Sequence, residues 1–116
     1  MNRDQEGFSS DEKVIFNVIY SYASQIQEKY GEKIKRVILF GSWARGEGNS
    51  GSDVDLLVIT SKLPVKSKID IIGTACSFFT KTNVYLSIKV FSEDEFEQER
   101  NFSFIKTVIM EGKQIA

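Results

Sequence analysis

The stretch LFGSWARGEGNSGSDVDLLVIT, Leu39 to Thr60, decides the fold. An apolar run breaks at Gly41-Ser42, small and polar residues follow, and two aspartates, Asp53 and Asp55, open a second apolar run. The first run reads back through KRVILFG without alternating, which is the pattern of a central strand covered on both faces. DVDLLVIT is the second strand. Residues two apart on a strand point to the same face, so Asp53 and Asp55 project side by side while Val54 and Leu56 point the other way.

Helices flank these strands. Val14, Ile15, Val18, Ile19, Tyr22, Ala23, Ile26 and Tyr30 recur at helical spacing and predict an amphipathic helix from Ser10 to Tyr30. Ser9 and Glu12 stand at capping-box spacing before it, and Gly31 supplies its stop. Pro64 suits a first helical turn, and a helix over Val65 to Thr80 follows, with Ile69, Ile72, Ala75, Cys76 and Phe79 read as its inward face. NVYLSIKVF alternates: Val84, Leu86, Ile88 and Val90 share one face, Tyr85, Ser87, Lys89 and Phe91 the other, as on a half-exposed strand. Ser92 with Glu95 makes a second capping box opening a short acidic helix, and FIKTVIMEG is a last helix closed by Gly112. The order α-β-β-α-β-α-α predicts a small α/β (α+β) fold, a mixed sheet of about three strands with helices mainly on one face.

Composition closes off other classes. A chain of 116 residues reads as one domain, spanning 1–116. Its net charge of −1 gives no overall positive field to recruit nucleic acid. The apolar runs fall far short of the roughly 20 residues a membrane span needs. MNRDQEGFSSDEK lacks the apolar core of a signal peptide, so a cytoplasmic location is the default expectation. Histidine is absent, which removes Ser-His-Asp and Cys-His catalysis and every histidine zinc site. Cys76 has no second cysteine to pair with, and among the apolar residues of GTACSFF it reads as a buried, inert thiol. Chemistry is left to carboxylates, hydroxyls, basic side chains and backbone.

Two ionised carboxylates held side by side repel unless a cation sits between them. Hard oxygen ligands suit Mg²⁺ or Mn²⁺, which take their remaining ligands from water and phosphates. The alternative is a pair of aspartates capping a turn before the strand. The Gly41-Ser42 turn bears on that choice. It leaves a buried strand and enters SWAR, which can form a short helix beginning at Ser42. Backbone N–H groups at such a start, with the Ser42 hydroxyl, make an anion site that glycine lets a phosphate approach, and Arg45 can reach the same ligand. A phosphate cradle and a carboxylate pair thus begin and end one segment between adjacent strands, as a metal-bound triphosphate requires.

GSWARGEGNSGSDVDLLV resembles the G-S-x-A-R-G-x(n)-S-D-x-D-[LI]-x-V signature of the DNA polymerase β-like nucleotidyltransferases, most of all the minimal nucleotidyltransferases of prokaryotes. KYGEKIKRVILFGS, FSEDEFEQE and FIKTVIMEG extend the resemblance over nearly the whole chain. It implies that Gly41 and Ser42 bind triphosphate and that Asp53 and Asp55 are the catalytic residues holding Mg²⁺ or Mn²⁺. Arg45 and Ser52 match the signature as further nucleotide-binding positions. A third carboxylate, usual on the next strand of active members, is missing: the polar face of that strand carries Tyr85, Ser87 and Lys89.

The resemblance implies transfer of a nucleoside monophosphate, AMP from ATP, to an acceptor hydroxyl. No second domain to bind the acceptor is seen, so a partner or another subunit, a homo-oligomer included, is expected to supply that site. In the resembling group the partner is a helical HEPN-domain protein, and the pair forms a toxin–antitoxin system. Two rivals stand beside this expectation. One is a catalytically weak nucleotide-binding module that neutralises a HEPN partner by contact; the other is an aminoglycoside nucleotidyltransferase-like subunit.

Overall fold

The computed structural model describes residues 10–49 and 51–116, with only the backbone of Ser10 and Asp11. The elements are α1 (Ser10–Tyr30), β1 (Ile34–Phe40), β2 (Val54–Thr60), α2 (Val65–Thr82), β3 (Leu86–Ser92), α3 (Glu93–Gln98), α4 (Ser103–Glu111) and β4 (Lys113–Gln114). The sheet order is β3-β2-β1-β4. β1 pairs antiparallel with β2 and with β4, whereas β2 pairs parallel with β3, so the sheet is mixed. The two-residue β4 is a fourth strand beyond the three expected. The Ser9–Glu12 capping box falls at Ser9, outside the described residues.

β1 and β2 are apolar on both sides because both sides are covered. Val37, Leu39, Val54, Leu56 and Val58 face a core built with α1 and α2. Ile38, Leu57 and Ile59 face a smaller core with Phe96 of α3 and Ile105 and Val108 of α4. The two long helices thus lie on one face of the sheet, and two short ones cover the other. α1 and α2 are joined by the buried Tyr22 hydroxyl, which donates to the Ile71 carbonyl at 2.7 Å. Burial, with the Asp70 charge adding to it, pushes that phenol above its usual range.

Helix ends follow their local chemistry. Gly31, at φ +58°, ends α1 in the left-handed region, and a 3₁₀ turn over Gly31–Lys33 leads into β1. Ser92 Oγ accepts from the Glu95 N–H while the Glu95 carboxylate accepts from the Ser92 N–H, a complete capping box at α3. Gly112 closes α4 with its N–H on the Val108 carbonyl.

Two expectations for α2 are corrected. Its inward residues are Ile71 and Ala75, with Phe78 packed against the same core, whereas Ile69, Ile72, Cys76 and Phe79 are exposed. The helix carries two apolar stripes, and its pattern alone does not say which one meets the sheet. Cys76 is consequently an exposed thiol rather than a buried one. On α1, Val14 also turns outward.

Candidate active site

The antiparallel pairing of β1 with β2 brings the end of one strand to the start of the other. Phe40 is the Cα partner of Asp55, so Gly41 and Ser42 leave β1 where the aspartates enter β2. Gly41 adopts φ +78°, and a β-carbon added there would collide with the Asp55 carboxylate. Only glycine lets the turn and the carboxylate sit this close.

The turn itself differs from the short helix expected at Ser42. The Ala44 and Arg45 N–H groups both bond to the Gly41 carbonyl, Glu47 N–H bonds to the Ser42 carbonyl, and Gly46 at φ +76° reverses the chain. These are overlapping turns, too short to propagate a helix. Among the described residues, the N–H groups of Ser42 and Trp43 and the Ser42 hydroxyl have no hydrogen-bond partner. Free N–H groups on successive residues, beside a residue with no Cβ, form a concavity suited to an anion.

Trp43 was not singled out by sequence reasoning, yet it holds the loop. Its indole is buried in the core shared with α1 and α2, and its Nε1–H reaches the Ser52 carbonyl at 3.4 Å. Gly48 lies so close over the ring that a β-carbon there would strike it. A tryptophan followed by a glycine five residues on, inside a polar loop, was the available signal. Ser52 acts within the loop: its Oγ accepts from the Asn49 N–H at 3.2 Å.

The two aspartates occupy different environments. Asp53 precedes β2 and is exposed, while Asp55 is the second residue of the strand and half-buried. Burial raises the Asp55 carboxyl above its usual range, and the Asp53 charge raises it further. Lys89 and Arg45 act in the opposite direction. A carboxylate disfavoured by burial and by a like-charged neighbour gains from a cation between the two. Asp53, Asp55 and the Gly41 cradle therefore fit a divalent ion carrying phosphates. No third aspartate, glutamate, cysteine or histidine joins them among the described residues.

The register shows what stands where a third carboxylate was sought. Ser87 of β3 is the Cα partner of Asp55, and directly paired residues share a face about 4.8 Å apart. Lys89 lies two residues further along that face, its Nζ 5.7 Å from the centre of the Phe104 ring. Arg45 is held by Glu47 and by Glu111 of α4, at 3.4 Å in each case.

Clefts flank the site on both sides. One, of about 300 Å³, runs between Phe40, Gly41 and Arg45 and the Ser103–Val108 side of α4. The other, of about 380 Å³, lies between Ser52 and Asp53 and the residues Phe79, Asn83 and Tyr85.

Comparison with known proteins fits this geometry. The family described as nucleotidyltransferase domain matches residues 19–115. A candidate protein adenylyltransferase of Methanocaldococcus jannaschii is 32% identical over 98 residues, which is 82% of this chain and 91% of the relative. The structure of a candidate nucleotidyltransferase from Sulfolobus solfataricus superposes with a TM-score of 0.56 at 18% identity, covering 80% of this chain and 84% of that one. A toxin–antitoxin complex crystallised with AMP-PNP has a chain that superposes with a TM-score of 0.54 at 18% identity, over 84% of this chain and 72% of that one. At such identities the two structures establish a shared fold.

Proposed function

The chain belongs to the nucleotidyltransferase domain family, and on that premise we propose that it transfers AMP from ATP to a hydroxyl of a partner protein. The observation carrying this proposal is the approach of Gly41 to the Asp55 carboxylate, which sets the turn with its unpartnered N–H groups directly beside the carboxylate pair.

Asp53 and Asp55 would hold Mg²⁺ or Mn²⁺, which when bound supplies Lewis-acid polarisation of the α-phosphate. The Ser42 and Trp43 N–H groups and the Ser42 hydroxyl bind the β- and γ-phosphates and orient pyrophosphate as the leaving group. Arg45 stands beside Gly41 in the cleft toward α4, and on turning from Glu47 and Glu111 it would add positive charge where the leaving group accumulates its negative charge. Ser52 shapes the loop that presents Asp53 and stays within reach of the nucleotide. The acceptor hydroxyl approaches the α-phosphorus opposite the pyrophosphate.

The partner we propose is the HEPN-domain toxin of a toxin–antitoxin pair, with this chain as antitoxin in the cytoplasm; a toxin–antitoxin complex among the structures sharing the fold supports that choice. Among the described residues no helix is long and apolar enough to cross a membrane. One observation favours a second reading, a nucleotide-binding module that neutralises the partner by contact: Ser87 pairs with Asp55 where a carboxylate would complete the metal site.

Labelled ATP, Mg²⁺ and the product of the neighbouring gene test both. Label should pass to the partner, and Asp53→Asn should abolish transfer and metal-dependent ATP binding while leaving the thermal unfolding midpoint in place, since Asp53 is exposed ahead of the strand. Unchanged calorimetric affinity for Mg²⁺–ATP in the variant would remove Asp53 from the site. Binding without transfer, over several metals, would favour the module.

A further inference from the structure

We propose that the outer edge of β3 takes an extended segment of the protein that receives AMP, added to the sheet as a further strand; this rests on the proposed transfer to a partner protein. β3 ends the sheet order β3-β2-β1-β4. The Val54 N–H donates to the Tyr85 carbonyl at 2.9 Å, so the odd-numbered residues of this parallel ladder turn their backbone groups to β2. Leu86, Ile88 and Val90 turn theirs outward, where no strand among the described residues meets them. A row of free N–H and C=O groups at every second residue is matched by another extended backbone.

The two edges of the sheet differ. On the far side β4 has only two residues, and the segment after it bonds back to β1: the Val37 N–H donates to the Ala116 carbonyl, and the Ile115 N–H to the Val37 carbonyl. β3 runs for seven residues in unbroken register with β2, without proline or bulge. Its one charge, Lys89, leans over the sheet face with Nζ 5.7 Å from the centre of the Phe104 ring, rather than guarding the edge. A cavity of about 330 Å³ opens along the same edge, between Ile72, Cys76 and Phe79 of α2 and Tyr85, Leu86 and Ile88. Edge and cavity are independent observations that suit one ligand, a strand with an apolar side chain on its α2 side.

Position selects the segment. Ser87 is the Cα partner of Asp55, so a strand added outside β3 joins the row of Phe40, Asp55 and Ser87, with its Cα about 10 Å from that of Asp55. Side chains alternate along a strand, so the residue on the aspartate side and the one entering the cavity are neighbours in sequence. The segment thus carries its hydroxyl-bearing residue next to an apolar one. A second copy of this chain suits the edge less well. Pairing β3 with β3 about a two-fold axis lays the two α2 helices antiparallel, side by side. Exposed lysines stand at both ends of α2, Lys62 and Lys66 at one and Lys81 at the other, so lysine would meet lysine twice.

Residue-resolved hydrogen exchange, with the product of the neighbouring gene as probe and no nucleotide present, tests the proposal. In the free chain the amides of Leu86, Ile88 and Val90 should exchange fast, while those of Ser87 and Lys89, turned to β2, are protected. The partner should slow the three outward amides by roughly tenfold or more, an alternating pattern that a side-chain contact would not produce. Ile88→Pro removes an outward donor and no bond to β2. It should keep the affinity for Mg²⁺–ATP and lose partner binding at least tenfold; should the proline unfold β3, the exchange pattern of the natural chain decides alone. Transfer of label to the partner with the outward amides still exchanging freely would overturn the docking and leave the transfer standing. Protection of the three amides without transfer would uphold the strand addition and overturn the transfer. Protection in the free chain that rises with its own concentration would give the edge to a second copy and overturn the proposal.

Discussion

Gly41 and Gly46 form a matched pair for separating strain from chemistry. They adopt φ +78° and +76°, nearly the same left-handed conformation. An alanine at either position costs roughly 1–2 kcal/mol of backbone strain. They differ in their surroundings: nothing lies within 4 Å of a β-carbon at Gly46, whereas one at Gly41 collides with the Asp55 carboxylate. That carboxylate ends a short side chain and can rotate away, which adds about 0.5–1.5 kcal/mol for an unfavourable rotamer. Both variants should therefore fold, with Gly41→Ala the less stable by about 1 kcal/mol in urea titration. Function should divide them more sharply. Gly46→Ala should bind Mg²⁺–ATP as the natural chain does. Gly41→Ala should lose at least tenfold, about 1.4 kcal/mol, because the carboxylate is displaced and a methyl group fills the anion cradle. Titration calorimetry on the two variants decides it, and equal affinities would refute the placement of nucleotide between Gly41 and Asp55.

Three further outcomes are expected. Ser42→Ala should weaken ATP binding by roughly 1–2 kcal/mol, the scale of a hydrogen bond to a charged group, and AMP binding much less; equal losses in calorimetry would move Ser42 away from the triphosphate. The Glu95 carboxylate is held below its ordinary value of 4.5, first by the Ser92 backbone N–H and then by Lys68. A depressed carboxylate stabilises the fold above its unfolded value, and that contribution is lost as pH falls through the folded one. Unfolding free energy of the natural chain should therefore drop more steeply below pH 4.5 than that of Glu95→Gln, and parallel curves would refute the linkage. Ser87→Asp places a carboxylate beside Asp55, so transfer to the partner at fixed Mg²⁺ should rise if the natural site lacks a ligand; a flat or lower rate would mean that the enzyme does not need one.

The parts of the fold that were legible in sequence are those with a single periodic signal. α1 runs from Ser10 to Tyr30 as its spacing predicts, and β1 and β2 show the two-sided burial that unbroken apolar runs imply. α2 was misread because it holds two apolar stripes, one turned to the sheet and one outward. Cys76 followed the stripe into the wrong environment. β4 was invisible because it is only two exposed polar residues, Lys113 and Gln114, too short to carry any apolar period. At the site, Gly41, Ser42, Asp53 and Asp55 stood out as residue types that are unusual where they occur. Trp43 did not, since an aromatic residue in a loop carries no period, and its role depends on Gly48 and Ser52 folding over it.

The parallel pairing of β2 with β3 gives the site its asymmetry. Phe40, Asp55 and Ser87 stand in one row across three strands. A slip of one residue in β3 would set Leu86 or Ile88 in that row and turn Ser87 to the other face. As built, Phe40 packs on Phe104 with ring centres 5.3 Å apart on one side of Asp55, while the half-buried Ser87 puts only a small hydroxyl side chain on the other. Asp55 is thereby fixed and partly dehydrated, whereas Asp53, ahead of the strand, stays in water. On the proposed function the two are unequal ligands. The half-buried Asp55 would hold the cation from a fixed position, and the exposed Asp53 would hold it from the solvent side, where water and nucleotide phosphates would complete its ligands. On that reading two carboxylates on this chain would suffice to hold the cation, with Ser87 rather than a third carboxylate beside Asp55.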